Sequence, residues 1–299
     1  MPTVHDLSGT KTFDVICAGE SQWKLARTGG PFWRRFRGAR LRPGGGPASV
    51  ALLLARQGFR VGLATVVSDD DRGRQWHDQV AASGIDVDGV LLARPAERVV
   101  VVEEGNEEGT TVFAEEDEPP FVVPRGWSSK ALVLSGLSPV VSHAAALCKA
   151  ARAARRDGAL VVLDFNAGVR TWAGHDARTI LMVLREVDVA HCTLADLAVL
   201  GIDIGTVRAN VRDTTVIVVG SGTTGAVATG PFGAVDYVPP GVTRTQKGGG
   251  GDAFIAAVVA TLTRPGRLGE SPAALWRRAL QRGYVAANAH QRAAEALSR

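Results

Sequence analysis

Cysteine is scarce in this 299-residue chain. Cys17, Cys148 and Cys192 are odd in number, widely separated and in no Cys-x-x-Cys pair, which argues against a disulfide framework and against a zinc site. Buried free thiols are expected instead. Long apolar runs are also missing: no stretch approaches the roughly 18 residues of a membrane span. The opening MPTVHDLSGTKTFD lacks the basic-then-apolar pattern of a signal peptide. A soluble, cytoplasmic protein is therefore expected. No internal repeat and no long linker interrupts the chain, and 45% apolar with 21% charged residues is a globular composition. The length suits one large α/β domain with a small appendage.

Charge is uneven along the chain although the net charge is only +4. Arg27 to Arg42, RTGGPFWRRFRGARLR, holds six arginines and no acid, and Glu103 to Glu118 holds eight acids and no base. Arginines interleaved with aromatics suit nucleic acid. They equally suit an acidic small molecule, a phosphate or a complementary surface, and nucleic acid is the less favoured reading. The acidic run reads as a solvated hairpin and its exit.

What is present in quantity is a rhythm of short apolar runs: 13–19, 60–67, 131–136, 159–165, 187–191 and 214–220. They read as strands covered on both faces. Helices are expected from Pro47 to Gln57, stopped by Gly58, and from Pro139 to Asp157, stopped by Gly158. Strand, helix, strand at this spacing implies a mostly parallel sheet with right-handed crossovers. Residues 85–118 break the rhythm with three β-rich runs and turn chemistry, and predict a small antiparallel sheet projecting from the main body.

Glycine is abundant, and its clusters carry the chemistry. In RTQKGGGGDAFIAAVVATL, four glycines, 248–251, precede Asp252 and an apolar run that reads as a buried helix. Glycine costs about 1 kcal/mol relative to alanine inside a helix, so the run belongs before the helix. Free N–H groups and the positive end of the helix dipole then face one point, which is an anion site. A Walker loop is excluded because no Lys-Ser or Lys-Thr follows. Two readings remain open: Asp252 as a plain N-cap, or a phosphoryl-transfer site in which Asp252 takes a hydroxyl proton and the amides hold developing charge. A second cluster, Gly220, Gly222 and Gly225, spells GxGxxG after a strand. A dinucleotide fingerprint must open a helix. Here AVATGPFGAVDYV follows and reads as a hairpin, so a nucleotide lying flat on glycine backbone fits better than a dehydrogenase. A third cluster, Gly44 to Gly46, runs into the helix at Pro47, with close chain packing as its plain explanation.

In this order the stretches resemble the ribokinase-like (PfkB) family of carbohydrate kinases. The resemblance rests on DVICAGE (14–20), PGGGPASVALLLARQG (43–58), the β-rich insert, LDFNAGVRTW (163–172) and GGGGDAFIAAVV (248–259), and spans nearly the whole chain. It implies a Rossmann-like, mostly parallel sheet flanked by helices with a small β-sheet lid, in a single kinase domain over 1–299. The lid would come mainly from 85–118 with part of 20–42. It also implies ATP-dependent, Mg²⁺-assisted transfer of the γ-phosphoryl group to a hydroxyl of a sugar-like substrate. By position, Asp252 would be the base and Gly249, Gly250 and Gly251 the anion hole. Gly220, Gly222, Gly225 and Asn288 would line the nucleotide pocket, while Gly44, Gly45 and Asn166 would face the sugar. A homodimer through the lid is a further implication.

The departures from the family pattern are specific. Ser49 stands for the helix asparagine of the N-terminal signature, and Thr193 and Asp196 stand for Asn-x-x-Glu, with Asp196 reaching Mg²⁺ through water and no direct metal ligand assigned. Arg170 falls two residues later than the usual arginine. Lys24 occupies the region of a sugar-binding aspartate, which with Arg34, Arg35 and Arg37 points to an acidic sugar. Gln246-Lys247 replaces Asp-Thr, so Lys247 is a candidate for a tethered cation at the nucleotide phosphates in place of a bound potassium ion. The competing readings are a non-catalytic, regulatory binding protein and a nucleoside kinase.

Overall fold

The computed structural model describes residues 10–26, 40–93, 101–103, 121–137, 144–167, 177–240, 250–264, 266 and 268–297. In chain order its elements begin with β1 (Lys11–Gly19), β2 (Gln22–Ala26), β3 (Arg40–Gly44), α1 (Gly46–Ala55), β4 (Val61–Ser68), α2 (Asp71–Ala81), β5 (Asp86–Ala93) and β6 (Val101–Glu103). They continue with β7 (Trp127–Ser135), α3 (Ala144–Arg156), β8 (Leu160–Asp164), α4 (Arg178–Leu184), β9 (Val189–Thr193), α5 (Leu194–Leu200) and α6 (Ile204–Asn210). The last are β10 (Val216–Gly220), β11 (Ala226–Gly230), β12 (Gly233–Tyr237), α7 (Gly250–Thr263) and α8 (Pro272–Leu297).

Nine strands form one sheet in the order β12-β11-β10-β9-β8-β7-β1-β4-β5. From β10 through β5 every neighbouring pair is parallel, and β11 and β12 close one edge as an antiparallel hairpin. The hairpin follows the GxGxxG stretch, which holds one 3-10 turn, Gly222–Thr224, and opens no α-helix. Both faces of the sheet are covered because successive residues of each strand point to opposite sides and both sets are apolar. Ile16, Leu132, Leu134, Val161, Leu163, Ala190 and Ile217 meet α3 to α6 on one face. Val15, Cys17, Val133, Val162, Val189 and Val218 meet α1, α2, α7 and α8 on the other. Helix α7 is apolar around its whole circumference, and its residues 252–261 are all buried, which is why it lies sandwiched rather than at the surface.

The small sheet differs from the one expected. Its order is β3-β2-β6, with β2 and β3 antiparallel and β2 and β6 parallel, so it is mixed. Among the described residues of the 85–118 segment, β6 joins it and β5 does not. Strand β5 instead pairs in parallel with β4 at the edge of the main sheet. The cause is two-sided burial: Val87 and Val90 pack on one core while Leu91 and Ala93 pack on the other. A strand with apolar contacts on both faces is held in the body rather than in a projection. The remainder of that segment, 94–100 and 104–118, lies outside the described residues.

Candidate active site

In a parallel sheet flanked by helices the ligand crevice lies at the carboxyl ends of the strands. Here β1 ends at Gly19, β7 at Ser135, β8 at Asp164, β9 at Thr193 and β10 at Gly220. Strand register sets Gly19 beside Ser135, Ser135 beside Asp164, and Asp164 beside His191. Ser135, Asp164 and His191 share the parity of Val133, Val162 and Val189, so their side chains turn toward α7. All three are buried, and they satisfy one another: Ser135 Oγ donates to Asp164 Oδ2 at 2.9 Å, and His191 Nδ1 lies 2.7 Å from Asp164 Oδ1. Burial pushes the Asp164 carboxyl above its ordinary value, the His191 bond opposes this, and the Asp196 and Asp252 charges act with burial.

On the sugar side implied by the resemblance, the start of α1 closes over this row. Gly45 takes φ 90° and gives α1 no side-chain cap, while Pro47 fits the first turn. A Cβ on Gly46 would lie 2.2 Å from Ser135 Oγ and 2.8 Å from Asn166 Nδ2, so only a glycine lets these groups converge. Asn166 itself has φ 43°, a left-handed conformation that asparagine tolerates better than most residues. The structure thus brings together Gly44, Gly45, Gly46, Asn166 and the first turn of α1, where Ser49 is half-buried. Lys24 lies in β2 and its register partner in β3 is Arg42.

On the other side stands the start of α7. Asp252 is buried within the first helical turn, so the plain N-cap reading, which needs a non-helical position before the helix, does not hold. A Cβ on Gly251 would meet nothing within 4 Å, whereas one on Gly250 would come within 3.0 Å of Gln291 Nε2. One face of α8 serves both this turn and the glycine loop after β10. Tyr284 Oη donates to the Gly222 carbonyl at 3.0 Å, and Asn288 follows one turn later, half-buried. Burial raises the Tyr284 phenol to about 12, so it stays protonated and a donor at neutral pH. Gly225 has φ 130°, and a Cβ there would strike the Tyr237 carbonyl at 2.4 Å.

Between the two sides, the β9–α5 junction is a capping box. Thr193 Oγ1 accepts from the Asp196 N–H, while Asp196 Oδ2 accepts from the Thr193 N–H and Oγ1, each at 2.7 Å. Asp196 Oδ1 also accepts from the Ala167 N–H at 2.7 Å. Three of about four acceptor positions of this carboxylate are therefore committed to the chain itself. Asp196 thereby ties the start of α5 directly to the backbone at Ala167.

Lys247, Gly249 and Arg170, and the arginines 34, 35 and 37, lie outside the described residues. Reading the sequence did not single out Ser135, Asp164 and His191 as a group, nor Tyr284 and Gln291. Asp164 sits inside the quoted Asp-x-Asn stretch and His191 just before Thr193, but their pairing depends on strand register, which the linear chain does not display.

A model of the pfkB family of carbohydrate kinases matches residues 34–293. A fructokinase from Klebsiella pneumoniae is 30% identical over 248 residues, covering 75% of this chain and 78% of the relative. An aminoimidazole riboside kinase from Salmonella typhimurium is 25% identical over 242 residues, 74% of each chain. Among solved structures, aminoimidazole riboside kinase from Salmonella enterica, complexed with aminoimidazole riboside and an ATP analog, superposes with a TM-score of 0.70 at 21% identity, over 93% of this chain and 92% of that one.

Proposed function

This chain belongs to the pfkB family of carbohydrate kinases, and from that premise we propose that it transfers the γ-phosphoryl group of ATP to a hydroxyl of a sugar or sugar acid, with Asp252 as the base. The reading rests chiefly on one observation. A buried carboxylate opens an otherwise apolar, buried helix, next to a glycine whose outer face is open, at the carboxyl edge of the sheet. The acceptor oxygen attacks the γ-phosphorus as the bond from phosphorus to the β-bridging oxygen breaks. The acceptor proton passes to Asp252, and ADP leaves. Amides of 249–251 offset the charge on the transferred group, since preorganised donors in a dry site act more strongly than water. Gly220, Gly222 and Gly225 with Asn288 supply the nucleotide side, and Gly44, Gly45, Ser49 and Asn166 the acceptor side.

Among the described residues no group of three or more His, Cys, Asp or Glu side chains is placed to hold a metal. Mg²⁺ keeps most of its water and is carried by substrate phosphates with one or two carboxylates. Among the described residues, three donors reach Asp196, so about one acceptor position would remain for such a water. The ion, when bound with ATP, neutralises charge on the β- and γ-phosphates.

An acidic acceptor is favoured within this reading. The lid strands set two cationic residues, Lys24 and Arg42, at opposed positions, in a region with five more arginines at 27, 34, 35, 37 and 40. The test is ATP turnover against a panel of neutral sugars, sugar acids and ribosides, with Asp252→Asn as control. Removing the base is expected to lower kcat by about 10²- to 10⁴-fold. Equal turnover by the two proteins would overturn the assignment of the base. A neutral hexose surpassing every sugar acid in kcat/KM would overturn the acidic acceptor, and a riboside doing so would shift the reading to a nucleoside kinase.

A further inference from the structure

The row Ser135, Asp164 and His191 has no part in the proton transfer just described, yet it touches both halves of the site. At one end Ser135 Oγ stands 2.2 Å from where a Cβ of Gly46 would be, at the start of α1. At the other end the His191 ring stacks on Phe254, with centroids 5.2 Å apart and planes 29° from parallel. Phe254 lies two residues beyond Asp252 in α7. Its own position is enforced from behind: Tyr284 meets it edge-on at 5.4 Å, and a Cβ on Gly283 would fall 2.5 Å from the ring. Tyr284 in turn donates to Gly222. A continuous path therefore runs from the acceptor-side loop through one carboxylate and three rings, those of His191, Phe254 and Tyr284, to the catalytic helix and the glycine loop.

The chemistry of position 191 is narrow. Asp164 Oδ1 needs a donor, since a buried acceptor left unsatisfied is costly, and Phe254 needs a flat apolar partner. Histidine with its proton on Nδ1 supplies both. Phenylalanine would keep the stack and lose the donor, whereas asparagine would keep a donor near the Nδ1 place and lose the stack. Aliphatic residues such as Val218, the register partner of His191 in β10, would lose both.

Building on the kinase reading, we propose that His191 is a positioning residue: anchored to Asp164, it fixes α7, and with it Asp252 and the 250–251 amides, against the acceptor-side loop at Gly45, Gly46 and Asn166. It does not touch the reacting atoms. Its effect is on alignment, and misplacement of about 1 Å can cost on the order of a hundredfold in rate.

The experiment compares His191→Phe, His191→Asn, Phe254→Leu and the double variant His191→Asn/Phe254→Leu. Each is assayed for kcat per active site, counted by binding of an ATP analog, and for the amide resonances of Gly250 and Gly251. Both single substitutions at 191 are expected to lower kcat between about tenfold and a hundredfold with KM for ATP little changed. The double variant should fall no further than its worse single parent, because both cut the same path. The Gly250 and Gly251 resonances should move in every variant. A residue that merely stabilises the fold would lower the count of active sites and leave kcat per site intact. Unmoved resonances, or unchanged kcat per site in both 191 variants, would overturn the proposal. If the unmodified protein phosphorylates no acceptor while the resonances still move, the kinase reading fails and the positioning by His191 stands.

Discussion

Gly46→Ala is the sharpest test of the packing that holds the site together, because the sign of its effect is in question. Alanine in place of glycine in a helix is ordinarily stabilising, by up to about 1 kcal/mol. At Gly46 the new methyl would stand 2.2 Å from Ser135 Oγ, 2.8 Å from Asn166 Nδ2 and 3.1 Å from Ser135 Cβ. The hydroxyl must then leave its bond to the buried Asp164 carboxylate. A buried bond to a charged acceptor contributes about 1.5–3 kcal/mol, so the gain is outweighed and a net loss of about 1–3 kcal/mol is expected. Ser135→Ala alone should cost a similar amount. Combined with Gly46→Ala it should cost much less than the sum, since the bond is already broken and the obstructing atom is gone. A coupling of about 1–2 kcal/mol is expected. Urea unfolding of the four proteins, followed by two probes with unchanged slope, measures the cycle. A neutral or stabilising Gly46→Ala, or strict additivity with Ser135→Ala, would refute the reasoning.

Turnover is expected to be nearly independent of added potassium, and Lys247→Ala to lower kcat by roughly tenfold, about 1.4 kcal/mol of transition-state stabilisation; strong potassium activation of the unmodified protein would count against a tethered cation. Asp70 caps α2 by accepting from the Gly73 N–H at 2.7 Å, and this bond chiefly holds its carboxyl below the ordinary 3.8. Asp70→Ala should therefore cost about 1 kcal/mol at pH 7. With the folded value depressed, that stability is present above the unfolded value and is lost as pH falls through the folded one. The gap between the two proteins, measured by chemical denaturation, should narrow below about pH 4. Burial raises all three thiols, Cys192 to about 12. The native protein at pH 8 should leave them unmodified by a thiol reagent and the denatured protein should expose three; rapid native labelling would contradict their burial. Tyr284→Phe removes the donor to Gly222 and should raise KM for ATP by about fivefold with kcat nearly kept, and an unchanged KM would show that this bond does not shape the nucleotide side.

Much of the fold was legible along the chain because its signals are local. Apolar runs such as VVLDF and VIVVG are short, β-branched and bounded by turn residues, which is enough to call strands buried on both faces. Gly58 and Gly158 stop helices by their freedom at positive φ. The glycines before Asp252 mark a helix start, but the run does not stop short of it: Gly250 and Gly251 lie in the first turn of α7, where N–H groups lack intrahelical partners and glycine is cheap. The hairpin after Gly225 was readable because its residues suit no helix. The placement of β5 was not legible: alternation looks the same in a lid and at a sheet edge, and only contact with β4 on one side and two cores above and below decides between them.

The alignment within the site belongs wholly to the tertiary structure. Ser135, Asp164 and His191 stand 29 and 27 residues apart, and each alone reads as an ordinary polar residue near a strand end. They become one hydrogen-bonded row because three strands pair in a single register, and a slip of one residue would send each side chain to the opposite face. Local sequence determines which strands and helix starts exist, through backbone preferences within a few residues. Which of their side chains meet is set by long-range pairing and by the burial that penalises any polar group left without a partner.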